Sequence, residues 1–208
     1  MKKAIIIAVS IIASVSSIHA AAITFGAVPT AQQFLDRDGV ALSGGLVLVG
    51  TFSDAASISL KPGSVDSSFS NIASTAGWTQ FSQLGIATNT AGRVGGQVID
   101  NTSAADFFNG KPLFLWVFNG TTRANSTQFG IFRAGSAPVP WVFPTNAGGV
   151  GDSLTLSTTA TGAGTISALG GVGSSGSGLR LVAPVPEPGT VALLLVGAVG
   201  FASRRRRA

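Results

Sequence analysis

The chain has no cysteine and no tyrosine, one methionine and one histidine, and only 10% of its 208 residues are charged. Each shortage closes off some chemistry. Without cysteine there is no disulfide, no zinc–thiolate or iron–sulfur site and no thiol nucleophile. His19 is the single histidine and lies in an N-terminal apolar segment, so the rest of the chain lacks an imidazole base and a histidine metal ligand. Glu187 is the single glutamate and lies near the C-terminus. Carboxylate chemistry therefore rests on seven aspartates, none of them in a motif that implies an acid–base pair. Neither an enzyme activity nor a cofactor is expected.

The chain is also short of charge where it counts. Its formal net charge is +5, but Lys2, Lys3 and Arg204 to Arg207 supply six of the thirteen positive residues. Between these ends, Arg37, Lys61, Arg93, Lys111, Arg123, Arg133 and Arg180 face Asp36, Asp38, Asp54, Asp66, Asp100, Asp106 and Asp152, seven against seven. No basic patch remains to attract phosphate, and nucleic acid is not expected as a partner.

What the sequence does have begins with a basic start, Met1-Lys2-Lys3, and an apolar core from Ala4 to Val15. Small residues follow from Ser16 to Ala22, which places signal-peptide cleavage after Ala20 or Ala22. With no twin arginine, the general secretion machinery is the expected route. The signal peptide is assigned to residues 1–22.

The body of the chain is rich in Gly and Ser and carries short runs of Val, Ile, Phe and Thr between turn residues. This pattern predicts an all-β fold, a single β-sandwich or jelly-roll-like domain over residues 23–169. Pro112 to Phe118 is apolar on both faces and should be a central strand. Gln128 to Arg133 should pair beside it through a loop that opens on the turn-former pair Asn119-Gly120. Pro140 to Phe143, bounded by prolines, should be an edge strand. The only helical stretch expected is one turn from Ala31 to Leu35, and residues 68–82 read equally as helix or strand. The Gly/Ser-rich stretch over 170–184 is expected to be a tether, because small residues bury little area and keep high backbone entropy, with Leu179 to Ala183 readable either as its end or as a last strand.

Candidate binding residues are few. Asp36 and Asp38 stand before Gly39 like the start of a calcium loop, but no glutamate follows at the required offset. They make a weak calcium candidate beside the reading of a turn capped by its own carboxylates. Trp116 lies in the central apolar run and should be core. Trp78 and Trp141 lie near turns and are the candidates for stacking on a glycan.

The C-terminus is the most specific part of the chain. It runs Val185-Pro186-Glu187-Pro188, then an uncharged stretch through Thr190 to Ala202, then Arg204, Arg205, Arg206 and Arg207. The prolines hold the junction extended. The apolar stretch is shorter than the ~20 residues of an ordinary span, which suits a transient anchor. The arginines act as a stop and stay cytoplasmic by the positive-inside rule. These three parts, in this order, resemble a PEP-CTERM sorting domain of Gram-negative bacteria that make exopolysaccharide. The resemblance covers residues 185–208. It implies recognition by an exosortase, a membrane-embedded cysteine transpeptidase, with cleavage near Pro186-Glu187-Pro188. It also implies a transient inner-membrane anchor, then delivery to the cell surface or extracellular matrix. The remainder resembles the uncharacterised β-rich passengers joined to such signals, a likeness that supplies no activity. A structural role in the envelope or biofilm is the expected function. The alternative is a surface module that binds exopolysaccharide or another carbohydrate.

Overall fold

The computed structural model describes residues 21–25, 33–60, 64–81, 85–94, 98–101, 105–134, 141–143, 153–156, 166–175 and 178–184. Its centre is an antiparallel sheet built from β3 (Leu46–Phe52), β7 (Phe114–Phe118) and β8 (Phe129–Ala134). The sheet extends to β10 (Ile166–Ala168) on one side and β4 (Trp78–Gln80) on the other, in the order β10-β8-β7-β3-β4. A further strand, β5 (Ile86–Ala87), also pairs with β3. β7 occupies the middle as its double-sided apolar pattern requires, with all five residues fully buried.

Alternation along these strands sorts their side chains into two layers. Val47, Val49, Leu115, Val117, Phe132 and Ala134 point to one face. Leu48, Phe52, Phe114, Trp116, Phe118, Phe129 and Ile131 point to the other. The first face is covered by Ile23 of β1 (Ala21–Phe25), Phe34 of β2 (Phe34–Leu35), and Leu179 and Leu181. β1 itself sits in a three-stranded sheet, antiparallel to β6 (Val98–Asn101) and parallel to β9 (Ser153–Leu156).

The second face is covered by a helix, α1 (Val65–Ala76), which departs from the all-β expectation. The domain is β-rich with one substantial helix among the described residues. Val65, Phe69, Ile72 and Ala76 fall on one side of α1 and enter the aromatic layer, where the Phe69 ring centroid lies 4.3 Å from that of Trp116. Burying side chains such as Phe69 and Ile72 contributes about 1.5–3 kcal/mol each. Ser64 caps the start, its hydroxyl accepting the Ser67 N–H at 3.1 Å, and Asp66 adds a favourable charge in the first turn. Gly77 ends the helix at φ 66°, and a Cβ there would lie 2.0 Å from Ser53 Oγ. The helical turn expected at Ala31–Leu35 is not formed where it can be judged: Phe34 and Leu35 are strand. Both are buried, and a strand lets them pair with β11 (Leu179–Arg180).

Among the described residues, strand pairing already includes Ala21 and Ala22, which the sequence assigned to the signal peptide. The stretch 170–184, expected as a tether, buries its apolar side chains where it is described, while Gly170, Gly171, Ser174, Ser175 and Arg180 stay exposed. Val172, Leu179 and Leu181 are at most 1% exposed. The Ile131 N–H donates to the Val172 carbonyl at 3.2 Å. The glycines there allow close turns: Gly170, Gly171 and Gly173 all have positive φ, and a Cβ at Gly170 would meet the Ile58 carbonyl oxygen at 2.0 Å.

Candidate functional site at the chain exit

The segment that leads out of the domain is stitched to it on two sides. Leu179 and Arg180 lie parallel to Phe34 and Leu35, with the Leu179 N–H donating to Gln33 O at 2.8 Å and the Leu181 N–H to Leu35 O at 2.9 Å. Val182 then forms a doubly hydrogen-bonded antiparallel pair with Phe129, 2.9 Å in each direction. Since Val182 runs against β8, the residues after it head for the end of the sheet where the β7–β8 loop lies.

That loop, Asn119 to Gln128, is held by its own polar side chains. Asn119 Oδ1 accepts the N–H groups of Thr127 and Gln128 at 2.9 and 3.0 Å. Ser126 Oγ accepts the Gly120 N–H at 3.0 Å and donates to the Thr122 carbonyl at 2.6 Å. The Arg123 guanidinium sits 4.0 Å above the Phe69 ring. Beside the loop is the turn Asp36 to Val40. Asp36 Oδ1 accepts the N–H groups of Asp38 and Val40 at 2.9 and 2.8 Å. The Arg37 N–H donates to Gln128 Oε1 at 2.8 Å, which joins turn to loop. Gly39 has φ 88°, and a Cβ there would lie 3.1 Å from Arg180 Nη2. Turn, loop and exit strand therefore share one end of the domain.

The candidate ligand residues behave as structure. Asp36 closes its own turn, and Asp38 lies 3.6 Å from Arg37 Nε in a solvent-exposed pair. Such pairs contribute little. Among the described residues no group of three or more His, Cys, Asp or Glu comes together. Trp141 is 1% exposed, in the core with Phe81, Phe108 and Phe143, so its ring offers no face to a sugar. Nor is it at a free edge, since its N–H donates to Ala134 O at 2.9 Å and its carbonyl accepts the Leu113 N–H at 2.9 Å. Trp78 is half-buried, with its ring 4.7 Å from Phe52 and 5.3 Å from Trp116 between centroids. It also leans on Gly50, where a Cβ would come within 2.6 Å of the indole. Among the described residues the exposed aromatic is Phe107, 47% accessible, which the strand pattern did not single out. The Lys111 ammonium covers one face of that ring at 3.1 Å from its centroid.

Residues 184–207 match the family model described as the PEP-CTERM protein-sorting motif. The chain carries a PEP-CTERM sorting signal. The match begins two residues after the Val182–Phe129 pair. A PEP-CTERM motif implies an exosortase as processing partner, and export with membrane-anchored transit toward the cell surface. It takes up 24 of the 208 residues and speaks for sorting, leaving the domain's own role to other arguments. No curated protein and no solved structure matches the chain. Val185, Pro186, Glu187, Pro188 and Arg204 to Arg207 lie outside the described residues, as do Ala20 and the stretch from Thr190 to Ala202. Among the described residues, no helix is long and apolar enough to cross a membrane. Ala22, the later of the two candidate cleavage residues, is the second residue of β1.

Proposed function

We propose that this protein is an exosortase-processed component of the cell surface or extracellular matrix, with a structural role in the envelope or biofilm. It is exported by the general secretion machinery, and the β-rich domain is the passenger. The stretch from Thr190 to Ala202 holds the precursor transiently in the inner membrane, and Arg204 to Arg207 stay on the cytoplasmic side. The carrying observation is the PEP-CTERM match that starts two residues beyond the last paired residue of a folded domain. The absence of cysteine, and of histidine outside the N-terminal segment, supports a structural rather than a catalytic passenger. The carbohydrate-binding alternative gains nothing from Trp78 or Trp141, whose rings are engaged in packing.

The processing claim is tested with Glu187→Ala in an exosortase-bearing host. The variant is expected to stay in the membrane fraction at precursor size, while the parent protein loses its tail. Equal gel mobility of the two in that fraction would overturn it.

A further inference from the structure

We propose that the chain-exit end of the domain, formed by the turn Asp36 to Val40 and the loop Asn119 to Gln128, is a docking surface for the membrane-embedded processing enzyme. This inference rests on the exosortase reading and adds where on the passenger that enzyme sits.

Val182 is fixed by its two hydrogen bonds to Phe129, and Pro186 follows four residues later. A fully extended chain spans at most about 3.3–3.6 Å per residue, so Pro186 lies within roughly 14 Å of that anchor. Even a 100-residue folded protein has a radius of gyration of about 13 Å. An enzyme that closes around Pro186-Glu187-Pro188 must therefore abut whatever surface surrounds the exit. The antiparallel course of Val182 against β8 directs the chain past the β7–β8 loop, and the Arg37–Gln128 hydrogen bond sets the neighbouring turn beside it.

The surface is suited to contact. The turn and the loop are both closed by side-chain to backbone hydrogen bonds, so little ordering entropy is lost on binding. Val40 closes the turn opposite Asp36 and is 62% exposed, a large apolar residue held out by backbone hydrogen bonds. Arg37 and Asp38 around it offer both signs of charge.

The test is site-specific photocrosslinking of the full-length precursor, in cells whose exosortase lacks its nucleophilic cysteine so that precursor persists. A photoreactive residue is placed at Val40 or Thr122 on the exit end, or at Ala56 or Ser74 as controls. Ala56 follows β3, and Ser74 precedes β4, at the opposite end of the sheet. Crosslinks to the exosortase from positions 40 and 122, and none from 56 and 74, are expected. Crosslinks to phospholipid alone would overturn the proposal and assign this end to the bilayer. Exosortase crosslinks from all four positions, or from neither exit position, would also overturn it. In cells with active exosortase, Val40→Glu should slow precursor conversion in a pulse–chase while leaving the thermal unfolding of the domain unchanged. An unchanged conversion rate would count against docking. Failure of the parent precursor to be shortened in those cells would instead remove the exosortase reading itself.

Discussion

Thr51 and Thr88 are both buried, 2% and 5% exposed, and their hydroxyls are in opposite situations. Thr51 Oγ1 has no hydrogen-bond partner. Thr88 Oγ1 accepts the Gly45 N–H at 2.8 Å and donates to the Leu42 carbonyl, tying the turn before β3 to the strand edge. Valine has nearly the shape of threonine without the hydroxyl. Thr51→Val removes a polar group that was desolvated for nothing and is expected to raise the unfolding free energy by about 1 kcal/mol. Thr88→Val strands a backbone donor and an acceptor and should lower it by about 2 kcal/mol. Urea unfolding of the two variants measures both, with an unchanged m-value as the sign that only stability moved. The same substitution thus reads out opposite signs, which composition and hydropathy do not foretell.

At the scale of elements, β7 was legible because five consecutive apolar residues fit only a strand with sheet neighbours on both edges and cover on both faces. The hairpin to β8 was legible from its turn dipeptide. α1 was harder. Its buried residues at 65, 69, 72 and 76 have helical spacing, but serine and threonine between them have low helix propensity and blur the pattern. The helix forms because its apolar side covers an aromatic layer, a gain that exists only once the sheet is present. The exit segment was ambiguous for the converse reason. Glycine and serine suggest a loose tether, yet Leu179, Leu181 and Val182 complete the edge of two strands. Amide hydrogen exchange checks this directly. The amides of Leu179, Leu181 and Val182 donate to Gln33, Leu35 and Phe129 and should be protected to a degree near that of Phe129. Exchange at the unprotected rate would mean that the segment is a tether after all.

For the molecule as a whole, β1 bears on the two cleavage positions expected for a signal peptide. Cleavage after Ala20 leaves β1 whole. Cleavage after Ala22 would remove the pairs of Ala21 with Asn101 and of Ala22 with Asp100 and Ser153. The mature N-terminus is therefore expected at Ala21, to be read by intact mass of the exported protein; a mass starting at Ile23 would show that the strand tolerates the loss. The sequence by itself determined the sorting signal, the absence of thiol chemistry and the β-rich class. These depend on residue identity and on short-range pattern, which survive without a fold. Only the tertiary structure decided that Trp141 is core, that α1 roofs one face of the sheet, and that the domain stays paired to within four residues of Pro186. Those outcomes depend on which distant segments meet, and burial and strand pairing exist only after they have met.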